Sequence, residues 1–218
     1  MIARLSHRMG GAALAVVLTG LIVVVSGCRG AAPSPPAAPG APVPGSAAEL
    51  APLIVTHVPS GLPRLPDAAL DPPAGAKRLD DVAAYATDAP SQREVLRADG
   101  YRFGWERFWG ATAGPMTGVF VDEFTGSDGA ARYSADLAGN EQRRLGGSLS
   151  LAPPSLPGGC RMLTVAAGSS TELHGPASSV WCPHGVFSVS VIAVAGTAQA
   201  ADREMRAVLA RQLARLPG

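Results

Sequence analysis

Four residues within one stretch carry side chains able to do chemistry together: Cys160, His174, Cys182 and His184. Thiolates and imidazoles are the usual zinc ligands, but structural zinc sites bring their cysteines in close pairs of the C-x₂₋₄-C kind, and no such pair exists here. Two leftover cysteines outside the cytoplasm normally oxidise to a disulfide. The strand-like segments "CRMLTV" and "SSVWC" favour that outcome. In a hairpin centred on Thr171, Cys160 lies opposite Cys182, Met162 opposite Val180 and Thr164 opposite Ser178. A Cys160–Cys182 disulfide is the expectation, with a Cys/His metal set as the alternative.

Nucleophilic and acid–base motifs are absent. The chain holds no G-x-S-x-G, S-x-x-K or H-E-x-x-H. Ser127 in "TGSDGA" stands where a helix starts, and capping accounts for it. Asp122 and Glu123 are adjacent on an expected strand, so they point to opposite faces and cannot pair as acid and base. No catalytic residue, cofactor or metal ligand is therefore assigned. An aromatic stripe remains: Tyr101, Phe103, Trp105 and Trp109 recur at period two on one expected face, with Arg102, Gly104 and Glu106 on the other. It serves either as core or as a binding face. Trp109 and Trp181 each end a strand, where a sheet meets its loops, so these two indoles are the expected ligand or partner contacts.

The N-terminus sets where such a site would work. "MIARLSHR" is basic, Met9–Val25 carries no charge, and Ser26-Gly27 precedes Cys28. A basic region, a short apolar run and small residues before a cleavage point form an export signal. Val25-Ser26-Gly27-Cys28 resembles the bacterial lipobox. The resemblance implies cleavage after residue 27 and a diacylglycerol thioether on Cys28. The alternative is an uncleaved membrane anchor, for which Met9–Gly27 is just long enough. Either places residues 29–218 outside the cytoplasm, and the lipobox places them on the outer face of the plasma membrane.

Lys77 is the one lysine among 18 basic residues, and Ala, Gly and Pro abound. That bias resembles proteins of high-GC genomes such as those of actinobacteria. Removing residues 1–27 takes away Arg4 and Arg8, which leaves 16 basic against 17 acidic residues. A near-neutral chain without a basic block has no electrostatic footprint for nucleic acid and no polybasic patch for anionic lipid. Membrane attachment then rests on the acyl chains of Cys28.

Three segments follow: the signal peptide at 1–27, a lipidated Cys and disordered Pro/Ala/Gly-rich tether at 28–75, and one domain at 76–218. The tether holds 12 of the 20 prolines, which fix φ and remove backbone donors. Only "LAPLIVTHV" (50–58) breaks its pattern, as a short strand or a docking patch. In the domain, helices are expected at 80–86 and 91–99, the second with Ser91 and Glu94 as a capping box. Strands are expected over "GYRFGWERFW", "MTGVFVDEF", "CRMLTVAA", "SSVWC" and "GVFSVSVIAVAG". A helix lies between the first two and the last three, capped by Ser127 or Asp128, and an amphipathic helix closes the chain at 200–216. Consecutive strands with short turns argue an α+β fold: a mainly antiparallel five-stranded sheet with helices packed on one face.

This order, with Phe124 leading into a helix at Ala130, a Cys-bearing strand pair and a terminal amphipathic helix, resembles small actinobacterial lipoproteins of the PsbP-like type. It also resembles the extracellular sensor domains of mycobacterial serine/threonine kinases. The resemblance covers residues 79–216 and implies a non-enzymatic binding, accessory or sensing domain at the cell envelope, with an unknown protein, lipid or cell-wall partner. The alternative is an extracytoplasmic hydrolase whose site no linear motif reveals.

Overall fold

The computed structural model describes residues 42–218; the expected signal peptide, the expected lipidation site Cys28 and the first part of the expected tether lie outside the described residues. Seven strands form one sheet: β1 (Gly75–Lys77), β2 (Tyr101–Gly110), β3 (Met116–Phe124), β4 (Ser148–Ser150), β5 (Arg161–Val165), β6 (Ala177–His184) and β7 (Phe187–Val194). Their spatial order is β1-β2-β3-β7-β6-β5-β4, and every pair is antiparallel. The helices are α1 (Ala47–Leu50), α2 (Leu79–Ala83), α3 (Ala89–Ala98), α4 (Ser127–Leu145) and α5 (Ala198–Leu213). The α+β class and the antiparallel sheet are as expected. The sheet has seven strands rather than five because β1 and β4 are three-residue edge strands, too short to show a period of two.

Helices cover both faces, not one. All residues of β3 and β7 are buried, and neighbours in one strand belong to different cores. Val119, Val121, Val189 and Val191 pack with Met205, Val208 and Leu209 of α5. Phe120, Ile192 and Val194 pack with Ala138 and Leu145 of α4. The serines of "FSVSV" thus point beneath α4, where the hydroxyls of Ser188 and Ser134 lie 2.8 Å apart. A small, hydrogen-bonded serine can occupy a position that polarity alone would assign to solvent.

The stripe on β2 is also broken. Tyr101 pairs with Phe124 and Phe103 with Glu123, so the register slips between them. A bulge moves the following side chains to the other face. Tyr101 consequently packs edge-on against Phe124 on the α4 side, while Phe103, Trp105 and Trp109 face α5. Helix starts differ by a few residues. Asp88 caps α3 by accepting from the Ser91 amide at 3.1 Å. Gly126 occupies the cap position of α4 without a side-chain bond, in place of Ser127 or Asp128.

The largest departure is the expected tether. Residues 47–58 form α1, a 3₁₀ turn at Ala51–Leu53 and an extended stretch that docks on the α5 side. Leu50, Ile54, Val55 and Val58 are core residues. Residues of α5 and just beyond it tie this strap down. The Val55 amide donates to Gln212 Oε1 at 3.0 Å, and Gln212 Nε2 and Arg215 Nε donate to the Leu53 carbonyl at 3.1 and 2.9 Å. Farther along, Glu204 accepts from the Ser60 amide and hydroxyl at 2.9 and 2.6 Å. The proline content that reads as tether does not oppose this, because the strap pairs with side chains rather than with a ladder.

Candidate functional site

The α4 face of the sheet carries a row of polar side chains enclosed by apolar ones. Glu106 of β2 lies opposite Phe120 of β3, Phe120 opposite Ser190 of β7, and Ser190 opposite Trp181 of β6. One pleat away, Asp122 lies opposite Gly104 and Ser188. Gly104 is what makes room. A Cβ there would stand 2.3 Å from Asp122 Oδ1 and 2.9 Å from the Tyr101 hydroxyl, so any larger residue would displace both groups.

Lys77 and Glu106 form a buried ion pair, Nζ to Oε2 3.1 Å, with side chains 3% and 6% exposed. The Tyr85 hydroxyl donates to the same Oε2 at 3.0 Å, and Lys77 also donates to the Pro73 carbonyl. Tyr101 OH donates to the Lys77 carbonyl at 3.3 Å. Burial pushes the Glu106 carboxyl up, against the pull of Lys77 and Tyr85. Asp122 differs: burial pushes its carboxyl up to about 8, the Glu106 charge adds to the shift, and Tyr101 and Lys77 only partly oppose it. The Tyr133 phenol is raised by burial, with Asp122 and Glu106 adding, and its hydroxyl has no hydrogen-bond partner among the described residues.

Beside Asp122, α4 and the sheet line a partly open cavity of about 30 Å³. Phe120, Trp181 and Leu137 stand in its apolar wall; Asp122, Glu141, Ser179 and Ser190 form its polar one. Ser190 Oγ is buried without a partner among the described residues, whereas Glu141 is held by Arg144 at 2.5 Å. That volume admits one or two water-sized groups. The cavity can hold a small head group between a carboxyl, a hydroxyl and two aromatic rings.

The residues singled out in the sequence fall elsewhere, with one exception. Cys160 and Cys182 are joined in a disulfide, both fully buried in the α5-side core. The register around them is the expected one, Met162 with Val180 and Thr164 with Ser178. The thiols are therefore not free as metal ligands. His174 is exposed and His184 half-buried, and His184 Nε2 is buried without a hydrogen bond among the described residues. Trp109 does not reach the surface. It is 1% exposed, lies beneath the strap and donates to the Thr56 carbonyl at 3.4 Å. It ends a strand, but the strap covers that end. Trp181 is 5% exposed, so it is no surface contact either; it is the exception because it lines the cavity.

Sequence reasoning passed over Glu106, Asp122, Ser190 and Lys77 as site residues. The available signal was charge inside otherwise apolar strands, as in "GVFVDEF". On the opposite face, Glu123 is fully buried and pairs with Arg102; burial pushes its carboxyl up to about 7.

No protein-family model matches the chain, and no curated protein matches it. Among solved structures, the extracellular domain of PknH from Mycobacterium tuberculosis aligns with 65% of this chain and 76% of its own length, at 14% identity and a TM-score of 0.41. The likeness is weak and assigns the chain to no family.

Proposed function

We propose that the chain is a lipid-anchored, extracytoplasmic binding domain without catalytic activity, and that it holds a small ligand in the cavity between α4 and the sheet. The cavity carries this reading. It combines aromatic walls with a buried, unpartnered hydroxyl and a buried carboxyl, the mixture of apolar lining and few polar groups typical of ligand sites. The buried Cys160–Cys182 bridge fits an oxidising compartment, and the Ser26-Gly27-Cys28 sequence supplies the anchor.

One observation favours the hydrolase reading. A carboxyl pushed up to about 8, as in Asp122, is protonated at neutral pH, as a general acid requires. Against it, the neighbouring Glu106 is tied to Lys77 and Tyr85, and the Ser188 hydroxyl opposite Asp122 is engaged by Ser134.

Two measurements on the full chain test the proposal. Metabolic labelling with a fatty-acid analogue should mark the wild type and not Cys28→Ser; label surviving the substitution overturns the anchor. Native mass spectrometry from mild detergent should find a small molecule retained by the wild type and lost in Ser190→Val, which fills the cavity and removes its unpaired hydroxyl. Retention by Ser190→Val, or turnover of ester or glycoside substrates abolished by Asp122→Asn, overturns the binding reading.

A further inference from the structure

We propose that the ligand of this cavity is a small alkylammonium, its charged head seated beside Asp122 and Ser190 and its alkyl stem against Phe120 and Trp181. The inference rests on the cavity being a ligand site and names the class of molecule that fits it.

The first support is an unmatched charge. Four buried acids adjoin α4. Asp99 is paired with Arg132 at 2.7 Å, Glu106 with Lys77 at 3.1 Å and Glu141 with Arg144 at 2.5 Å. Asp122 has no cation within ion-pairing distance among the described residues. The Tyr101 hydroxyl hydrogen-bonds it, but a buried carboxyl without a cation stays neutral by keeping its proton; a ligand cation can take the proton's place.

The second, independent support is Ser190. Its side chain is 6% exposed, its hydroxyl has no partner among the described residues, and it lines the same cavity. A hydroxyl oxygen accepts from an N–H donor, so an ammonium satisfies this group and Asp122 together. The rings of Phe120 and Trp181 add the third element, since aromatic faces attract cations and cover apolar stems. A hard metal ion fits less well. Calcium and magnesium want six or more oxygens, and only two carboxyl side chains line the cavity. The small volume sets the size of the head group.

The exchange balances. The Asp122 carboxylic acid gives its proton to solvent, the carboxylate pairs with the incoming ammonium, and one proton leaves for each ligand bound. Titratable groups facing Asp122 are Lys77 of β1, Tyr101 and Glu106 of β2, Tyr85 beyond α2, and Tyr133 and Glu141 of α4. Lys77 is already engaged by Glu106, and burial keeps Tyr85, Tyr101 and Tyr133 protonated. Asp122 is therefore the group that releases the proton.

Titration calorimetry of the full chain in detergent micelles, with methylammonium chloride and its neutral isostere methanol, tests this. Run in two buffers of different ionisation enthalpy, methylammonium should release about one proton per site near pH 6 and almost none near pH 9. Its affinity should rise about tenfold per pH unit up to about pH 8 and then level off. Asp122→Asn should weaken methylammonium at least about tenfold more than it weakens methanol (roughly 1.4 kcal/mol) and abolish proton release. Wild-type binding without proton release overturns the proposal, whatever the variant does. If methanol binds and methylammonium does not, the cavity is a ligand site and the ammonium assignment fails. If neither binds, both readings fail.

Discussion

Gln212, near the end of the last helix, accepts a hydrogen bond from the Val55 amide at 3.0 Å, across 157 residues of chain. Gln212 Nε2 in turn donates to the Leu53 carbonyl at 3.1 Å, and Gln212 is fully buried. The domain is thus closed by its own N-terminal strap. Beneath the strap, Arg107 donates to the Ile54 and Val55 carbonyls at 2.9 Å each. Burial lowers its guanidinium to about 10.

The strap predicts a boundary. A chain beginning at residue 76 should fail to fold, because it exposes the surface covered by Leu50, Ile54, Val55 and Val58 and leaves Arg107 without its carbonyls. Gln212→Leu keeps the shape but leaves the Val55 amide unpaired, which should cost about 1–3 kcal/mol in denaturant unfolding. A chain from residue 76 with wild-type stability would mean that the strap only rests on the surface.

Trp109 should behave as a core residue. Its indole is enclosed by the strap and the α5-side core, so Trp109→Ala should cost about 3–5 kcal/mol. Both Trp109 and Trp181 should resist collisional quenching in the wild type. A Trp109→Ala protein with unchanged melting would contradict the packing described.

The disulfide closes a loop of 22 residues' separation. Loss of that constraint, as in the Cys160→Ala/Cys182→Ala double variant, should lower stability by about 3 kcal/mol. Thiol titration of the unfolded, unreduced chain should find neither Cys160 nor Cys182 reactive. Two reactive thiols from this pair would refute the bridge.

These cases show what was legible in the sequence. The hairpin register around Cys160 and Cys182 was readable because both strands alternate cleanly about a turn. The long elements were readable for the same reason: β2, β3, β7, α4 and α5 each run for eight residues or more. The strap was legible in part: "LAPLIVTHV" stood out of the proline-rich segment as a short strand or docking patch, and its core residues dock as such, but the hydrogen bonds that hold it come from Gln212 and Arg215, remote in sequence. The site was not, because its members sit on β1, β2, β3, β6, β7 and α4, and the pairing that joins them is set by tertiary register. Ser190 was passed over for a simpler reason. A serine alternating with valines reads as a solvent face, and only the placement of α4 shows that both faces are covered.

Asp122 gives the protein an inverted pH response. The carboxyl titrates at about 8 in the folded state and near the ordinary 3.8 when unfolded. Between those values the native state holds a proton that the unfolded chain has released. The stabilising contribution is fully present below about pH 4 and is lost as pH rises through about 8, at up to about 1.4 kcal/mol per pH unit. Glu123, pushed up to about 7, has the same sign over a narrower window, and the raised Glu106 reinforces it. Against its slight burial, bonds to Arg78 hold the Asp81 carboxyl below the usual range, so Asp81 acts the other way. Denaturant unfolding should therefore show the wild type more stable near pH 6 than near pH 8. Asp122→Asn, which is neutral throughout, should flatten that difference while Glu123 leaves a residue of it below pH 7. A wild type whose midpoint rises with pH over this range, or an Asp122→Asn protein with the same slope as the wild type, would show that Asp122 is ionised in the folded protein.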